Sequence, residues 1–157
     1  MKKLFLKIKD KFLQKKIDNS LNILLNQNRK FKKPIRKVGF IIDSELDIDY
    51  LDIVSLTENI GLKEKDIKVV SYSKTSFNDP FYKMRVSDDS INFFGNMNSA
   101  DANEFISYNY DLLINYFGSN KILSLISAKS NAKFRVGFDN SNQKLNDIIF
   151  KDIYNNF

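Results

Sequence analysis

The sequence predicts an α/β layer fold: a Rossmann-like, three-layer domain with a mainly parallel sheet of five or six strands, preceded by an amphipathic basic helix. Three observations predict it. Short runs dense in β-branched and aromatic residues and poor in charge, such as "VGFIID", read as strands buried on both faces. These runs alternate with segments whose apolar residues recur at helical spacing, the succession that builds right-handed crossover units. At 157 residues and 43% apolar, the chain is long enough for one domain with a real core and too short for two ordinary ones. Residues 1–36 are accordingly expected to form a basic helix and linker, and residues 37–157 the single α/β domain.

From about Lys3 to Asn28 there is neither Pro nor Gly, and Leu13, Ile17, Leu21, Leu24 and Leu25 form a helical stripe. Leu4, Phe5, Ile8 and Phe12 fall on another side of that helix. Its second half is therefore expected to dock on the body while its first half does something else, with Pro34 ending it. "KVGFIID" (37–43) is the first strand. "SELDIDYLDIVSLTENIGL" then places Leu46, Ile48, Leu51, Val54, Leu56 and Ile60 in a mostly helical spacing closed by Gly61. "DIKVVSYSK" (66–74) is the second strand.

"TSFNDPFYKMRVSDD", with Pro80 and no clear period, reads as a long connection. "SINFFG" (90–95) is expected as the third strand, after which Ser99 caps a short helix running to about Tyr108. "DLLINYF" (111–117) is the fourth strand. Gly118 and Ser119 supply a turn and cap, and Ile122, Leu123, Leu125 and Ile126 mark the next helix. "KFRVGF" (133–138) is the fifth strand. Two readings of the ending stay open: a sixth strand over 147–150, or a helix carrying Leu145, Ile148, Ile149 and Ile153. A doubly wound sheet usually adds a helix after a sixth strand, so a shortened C-terminus is compatible with the pattern.

The chain has no Cys and no His. Disulfides, thiolate metal sites and a Cys nucleophile are thereby excluded, as are histidine general bases and the Ser-His-Asp arrangement. Catalysis would have to rest on carboxylates, Lys, Tyr or a bound cofactor, and no cofactor or metal is expected. Charge is unevenly placed. Lys2, Lys3, Lys7, Lys9, Lys11, Lys15, Lys16, Arg29, Lys30, Lys32, Lys33, Arg36 and Lys37 face only Asp10 and Asp18 within the first 37 residues, a net of +11. Since the whole chain carries +6, the remainder carries −5. A mildly acidic body wears a basic collar, which points to an anionic partner. No run resembles a signal-peptide h-region or a membrane span, so a cytoplasmic location is expected.

In such sheets ligands bind beyond the carboxyl ends of the strands. Asp43, Glu45, Asp47 and Asp49 follow the first strand and are of the type that hold Mg²⁺ or serve phosphoryl chemistry. The competing reading is that they cap the next helix and complement its dipole. Gly118, Ser119 and Lys121 at a later helix start offer a cradle for an anion, against the simpler reading of a tight turn. Neither GxGxxG nor a P-loop occurs. Phe93, Phe94, Phe105, Tyr108, Tyr110, Tyr116 and Phe117 lie on or beside strands, where aromatics fill a core. Phe77, Phe81 and Tyr82 lie in the long connection and are the candidates for base stacking.

The stretch "YDLLINYFGSNKILSLISAKSNAKFRVGF" (110–138) resembles the N-terminal half of heptosyltransferase-type glycosyltransferases: an Asp-led strand, a Gly-containing turn, a helix and an Arg-Val-Gly-Phe-like strand in that order. The whole chain, with "VGFIID" and "FFGNMNSADANEFI", is similar to a small uncharacterised α/β family of Bacteroidota-type bacteria. The first resemblance implies a fold and no activity. Such a transferase needs a second Rossmann-like domain, for which this chain has no room, and the position of an acid or amide in that strand is Asn115.

Three functional readings follow, in order. The first is a noncatalytic binding protein whose basic N-terminus contacts RNA phosphates, as an accessory of the ribosome would. The second is peripheral attachment to the inner membrane, with Leu4, Phe5, Ile8 and Phe12 in the bilayer interface and lysines on anionic headgroups. The third is a reduced glycosyltransferase-like half-domain that works with a partner chain at the strand ends. The first two part company at Leu4, Phe5 and Ile8, which membrane binding needs and RNA binding does not.

Overall fold

The computed structural model describes residues 1–30, 34–46, 48–74, 83–138 and 140–151. Lys32, Lys33, Asp47, Phe77, Phe81, Tyr82 and Ile153 lie outside them.

Six strands form one parallel sheet: β1 (Val38–Asp43), β2 (Ile67–Tyr72), β3 (Met84–Val86), β4 (Asn109–Tyr116), β5 (Asn131–Phe138) and β6 (Ile148–Phe150). Their order across the sheet is β3-β2-β1-β4-β5-β6, and every pair is parallel. Among the described residues four α-helices accompany it: α1 (Lys2–Leu25), α2 (Tyr50–Asn59), α3 (Ala100–Ser107) and α4 (Lys121–Lys129). Burial of β1 is continuous from Val38 to Ile42, as two covered faces require. One core joins α1, α3 and α4 to the sheet through Leu13, Leu24, Phe105, Leu113 and Ile126. A smaller one joins α2 through Ile53, Phe40 and Ile42.

Several expectations are corrected. Residues 90–95 are not a strand. Residues 88–90 make a single 3-10 turn, and Ile91 bridges Met97 antiparallel around a tight turn. Asn92 causes it: its side-chain oxygen accepts the N–H of Phe94 and of Asn96, each at 3.0 Å, and Gly95 takes φ +77°. The third strand is instead Met84–Val86, inside the stretch read as a connection. Helix α1 ends at Leu25, well before Pro34, because Asn26, Gln27 and Asn28 offer the core no further apolar anchor. Leu25 itself is exposed.

In α2 the buried residues are Ile53 and Thr57, whereas Leu51, Leu56 and Ile60 of the expected stripe face solvent. Gly61 follows that helix at φ +82°, as a C-terminal glycine does. Asn120, not Ser119, caps α4, accepting the N–H of Leu123 at 3.0 Å. The open ending resolves as strand β6.

Asp111 ties the start of β4 to its surroundings. Its carboxylate accepts the N–H groups of Arg36 and Lys37 and the Lys133 ammonium, at 2.9, 3.0 and 2.6 Å. Burial raises its pKa, but the Lys133 contact and the two backbone donors outweigh that and hold it below the ordinary value. A carboxylate with a depressed folded pKa contributes stability above its unfolded value, and the contribution is lost as pH falls through the folded one. Asp111→Asn is therefore expected to lower stability at pH 7 by about 1–3 kcal/mol. Urea unfolding at pH 7 and near pH 3 checks this: the gap between variant and wild type narrows at the acidic end.

Candidate functional site

The order of the strands reverses between β1 and β4, and there a recess of about 310 Å³ opens beyond their carboxyl ends. Asp43, Glu45, Gly118 and Ser119 line it together with Tyr72, Lys74 and Asn120. Four of the five residues expected at a strand-end site thus meet. The fifth, Lys121, turns away and pairs with Asp10 of α1 at 2.7 Å.

The polar groups of the recess are occupied by local structure. Asp43 accepts the N–H of Glu45 at 3.1 Å, Glu45 pairs with Lys74 at 3.5 Å, and Asp49 caps α2 through the N–H of Leu51. The Tyr72 hydroxyl donates to Asp88 at 2.7 Å, and burial, followed by that carboxylate, raises its pKa. Two carboxylates opposite the Gly118–Ser119 turn make the recess unwelcoming to a phosphate. Among the described residues, no three His, Cys, Asp or Glu side chains are grouped to hold a metal ion.

The collar is built differently. Asp10 meets Lys121 at the start of α4, while Arg29 meets Asp147 just before β6, so α1 runs antiparallel to the strands and its N-terminus lies at the carboxyl edge. Leu6 and Leu13 are two turns apart and share the docking direction. Leu13 is 8% exposed and Leu6 57%, so the body ends beneath the second turn and the helix overhangs it. Lys2, Lys3 and Lys7 are exposed on the overhang, Lys11, Lys15 and Lys16 are exposed on the turns that follow it, and Lys9 is half-buried.

The other described cationic residues, Arg29, Lys30, Arg36 and Lys37, sit at the far end of a helix about 36 Å long. Lys30, Arg36 and Lys37 are exposed, but Arg29 is held by both oxygens of Asp147 at 2.9 Å. Among the described residues the collar is thus two separate patches, and the one at the carboxyl edge holds more of the exposed lysines.

The Phe93–Phe94 turn rests against that overhang. Phe5 stacks on Phe93 with centroids 4.5 Å apart, Phe12 meets Phe93 and Phe94 edge-on at 5.8 and 5.6 Å, and the two turn residues meet at 5.4 Å. Contact half-buries Phe93 and leaves Ile8 and Phe12 little more than a third exposed, but Leu4, Phe5 and Phe94 remain 62%, 54% and 58% exposed. Gly95 makes the approach possible, since a Cβ there would stand 2.9 Å from backbone atoms of Phe12 and Leu13. The expectation that Phe93 and Phe94 fill the core is corrected with the strand that carried it. The signal for the turn was present in "NFFGN", where an Asn precedes and a Gly follows the aromatic pair.

On the described residues no helix is long and apolar enough to cross a membrane. The parallel sheet, its strand order and its covered faces define a Rossmann-like α/β domain with an added N-terminal helix. More particularly, the chain belongs to a family of unknown function (DUF6913), whose model matches residues 9–157. The first eight residues, with Leu4, Phe5 and Ile8, lie outside the matched span. No curated protein and no solved structure matched the chain.

Proposed function

We propose that this is a noncatalytic binding protein that attaches to an anionic phospholipid surface through the overhang of α1 and the Phe93–Phe94 turn. One observation carries the reading: phenylalanines from two separate elements interlock and still face solvent. At 100° per residue, Leu4, Phe5, Ile8 and Phe12 occupy a sector about 100° wide. Lys11 borders it on one side and Lys9 and Lys16 on the other, while Lys15 falls within the sector, one turn beyond Phe12. An apolar centre with a cationic rim suits the boundary between acyl chains and acidic headgroups, where each nearby lysine adds about 1 kcal/mol.

RNA phosphates are the second reading. It is favoured by the lysines around the rest of the overhang, Lys3 and Lys7 among them, which point away from the phenylalanine sector. It gives no role to Leu4 and Ile8, and the rings of Phe5, Phe12 and Phe93 are already engaged with one another.

Flotation of the full chain with phosphatidylglycerol-containing and with purely zwitterionic vesicles tests the proposal. Binding is expected to the first alone and to weaken with salt. Phe94→Ser should lower it about tenfold, the effect of one partly inserted ring. Binding that persists in Phe94→Ser, or that appears only with RNA and depends on Lys11 and Lys15 alone, would overturn it.

A further inference from the structure

The underside of the overhang is a second surface, on the other side of the helix from the phenylalanines. Between it and the body lies a cleft of about 600 Å³, within the range of roughly 300–1,000 Å³ typical of small-molecule sites. Its floor is aliphatic: Leu6 and Leu13 from α1, Ile91, and Ile122 of α4. Leu13, Ile91 and Ile122 are buried, while Leu6 hangs over the opening.

Charge at the mouth is cationic. Asp10 and Asp88 also line the cleft, but Asp10 is held by Lys121 through both oxygens, at 2.8 and 2.7 Å, and Asp88 accepts the Tyr72 hydroxyl. Lys3 and Lys7, at the rim, have no ion-pair partner among the described residues. An aliphatic floor without aromatic rings gives a nucleotide base nothing to stack on. It does accept a hydrocarbon chain, and the unmatched lysines call for an anionic head on that chain.

We infer that this cleft binds a long-chain fatty carboxylate, its chain laid between Leu6, Leu13, Ile91 and Ile122 and its head held by Lys3 and Lys7. Lys9 and Lys11 also line the cleft and border the phenylalanine sector, so the inference is distinguished from bilayer attachment by Leu6, Lys3 and Lys7, which lie away from the phenylalanines. Each methylene added within the cleft tightens binding about fourfold.

Calorimetric titration of the full chain with dodecanoate below its micellar concentration tests it. Saturable one-to-one binding is expected, with decanoate more than tenfold weaker and dodecyltrimethylammonium not binding. Leu6→Glu, at an exposed position where the fold is retained, sets a carboxylate over the floor and should lower dodecanoate affinity at least tenfold. Phe94→Ser should leave it unchanged. Absence of saturable binding, equal binding of the cationic amphiphile, or indifference to Leu6→Glu would each overturn the inference. Loss of binding in Phe94→Ser would place the amphiphile on the phenylalanine surface and overturn it as well.

Discussion

Arg135→Ala is expected to destabilise the fold by about 3–5 kcal/mol, the scale of uncovering a buried charge's partners. Arg135 is fully buried on the inner strand β5, yet among the described residues no carboxylate pairs with its guanidinium. Its partners are oxygens at the end of α4: Nη1 donates to the carbonyl and hydroxyl of Ser127 at 2.8 and 3.2 Å, and Nη2 donates to the carbonyl of Ser130. Both carbonyls lie at the carboxyl end of α4, where that of Ser127 also accepts the N–H of the C-cap Ser130 at 3.1 Å, and the negative end of the helix dipole favours a cation there.

Burial, with Arg29 nearby, lowers the Arg135 pKa to about 10 against the pull of Asp147, so the group stays charged at neutral pH. Truncation would leave the carbonyls buried and a void beside them. For a chain of this size the loss corresponds to a melting temperature lower by roughly 10 °C or more. Arg135→Lys should recover only part, since one ammonium cannot span both carbonyls with the planar fork. An alanine variant within 1 kcal/mol of wild type would mean that α4 ends without the guanidinium.

Gly95→Ala is the second large effect, about 2–4 kcal/mol. Two costs combine: a left-handed backbone at φ +77°, worth roughly 1–2 kcal/mol, and a methyl pressed to 2.9 Å from the α1 backbone. The backbone of a helix cannot give way locally, so the turn must lift from α1 and take Phe93 and Phe94 with it. Gly61→Ala isolates the first cost, because Gly61 has φ +82° and nothing within 4 Å of its missing Cβ. Chemical denaturation of both variants should show Gly95→Ala losing at least 1 kcal/mol more, together with weaker vesicle binding. Equal losses would show that the contact between the turn and α1 contributes nothing.

Periodicity was informative where burial was continuous, but not in α2, whose Leu51 and Leu56 and the following Ile60 face solvent. The stripe Leu13, Ile17, Leu21 and Leu24 and the runs in β1, β2, β4 and β5 were legible because burial on a helix face or between two layers leaves a dense apolar record. Strand β3 was not: three residues with a charged Arg85 at the centre carry too little pattern. "SINFFG" failed in the opposite way, its aromatic content mimicking a strand while Asn92 and Gly95 turned the chain. Arg135 was hidden because an arginine reads as exposed, although its place in "KFRVGF" between apolar neighbours was the available hint. The grouping of Asp43, Glu45, Gly118 and Ser119 followed from the strand-end rule, whereas Lys121 was drawn off by a charge on a helix more than a hundred residues away.

The chain contains no Trp, so Phe94→Trp places a single fluorescent reporter at the centre of the proposed docking surface. Its emission, recorded while anionic vesicles, zwitterionic vesicles and RNA are added in turn, tests attachment to a bilayer most directly. The account predicts a blue shift with the anionic vesicles alone, as the indole leaves water for the acyl boundary. An unchanged spectrum with those vesicles, accompanied by quenching on RNA, would contradict it and assign the lysines to phosphates of a nucleic acid.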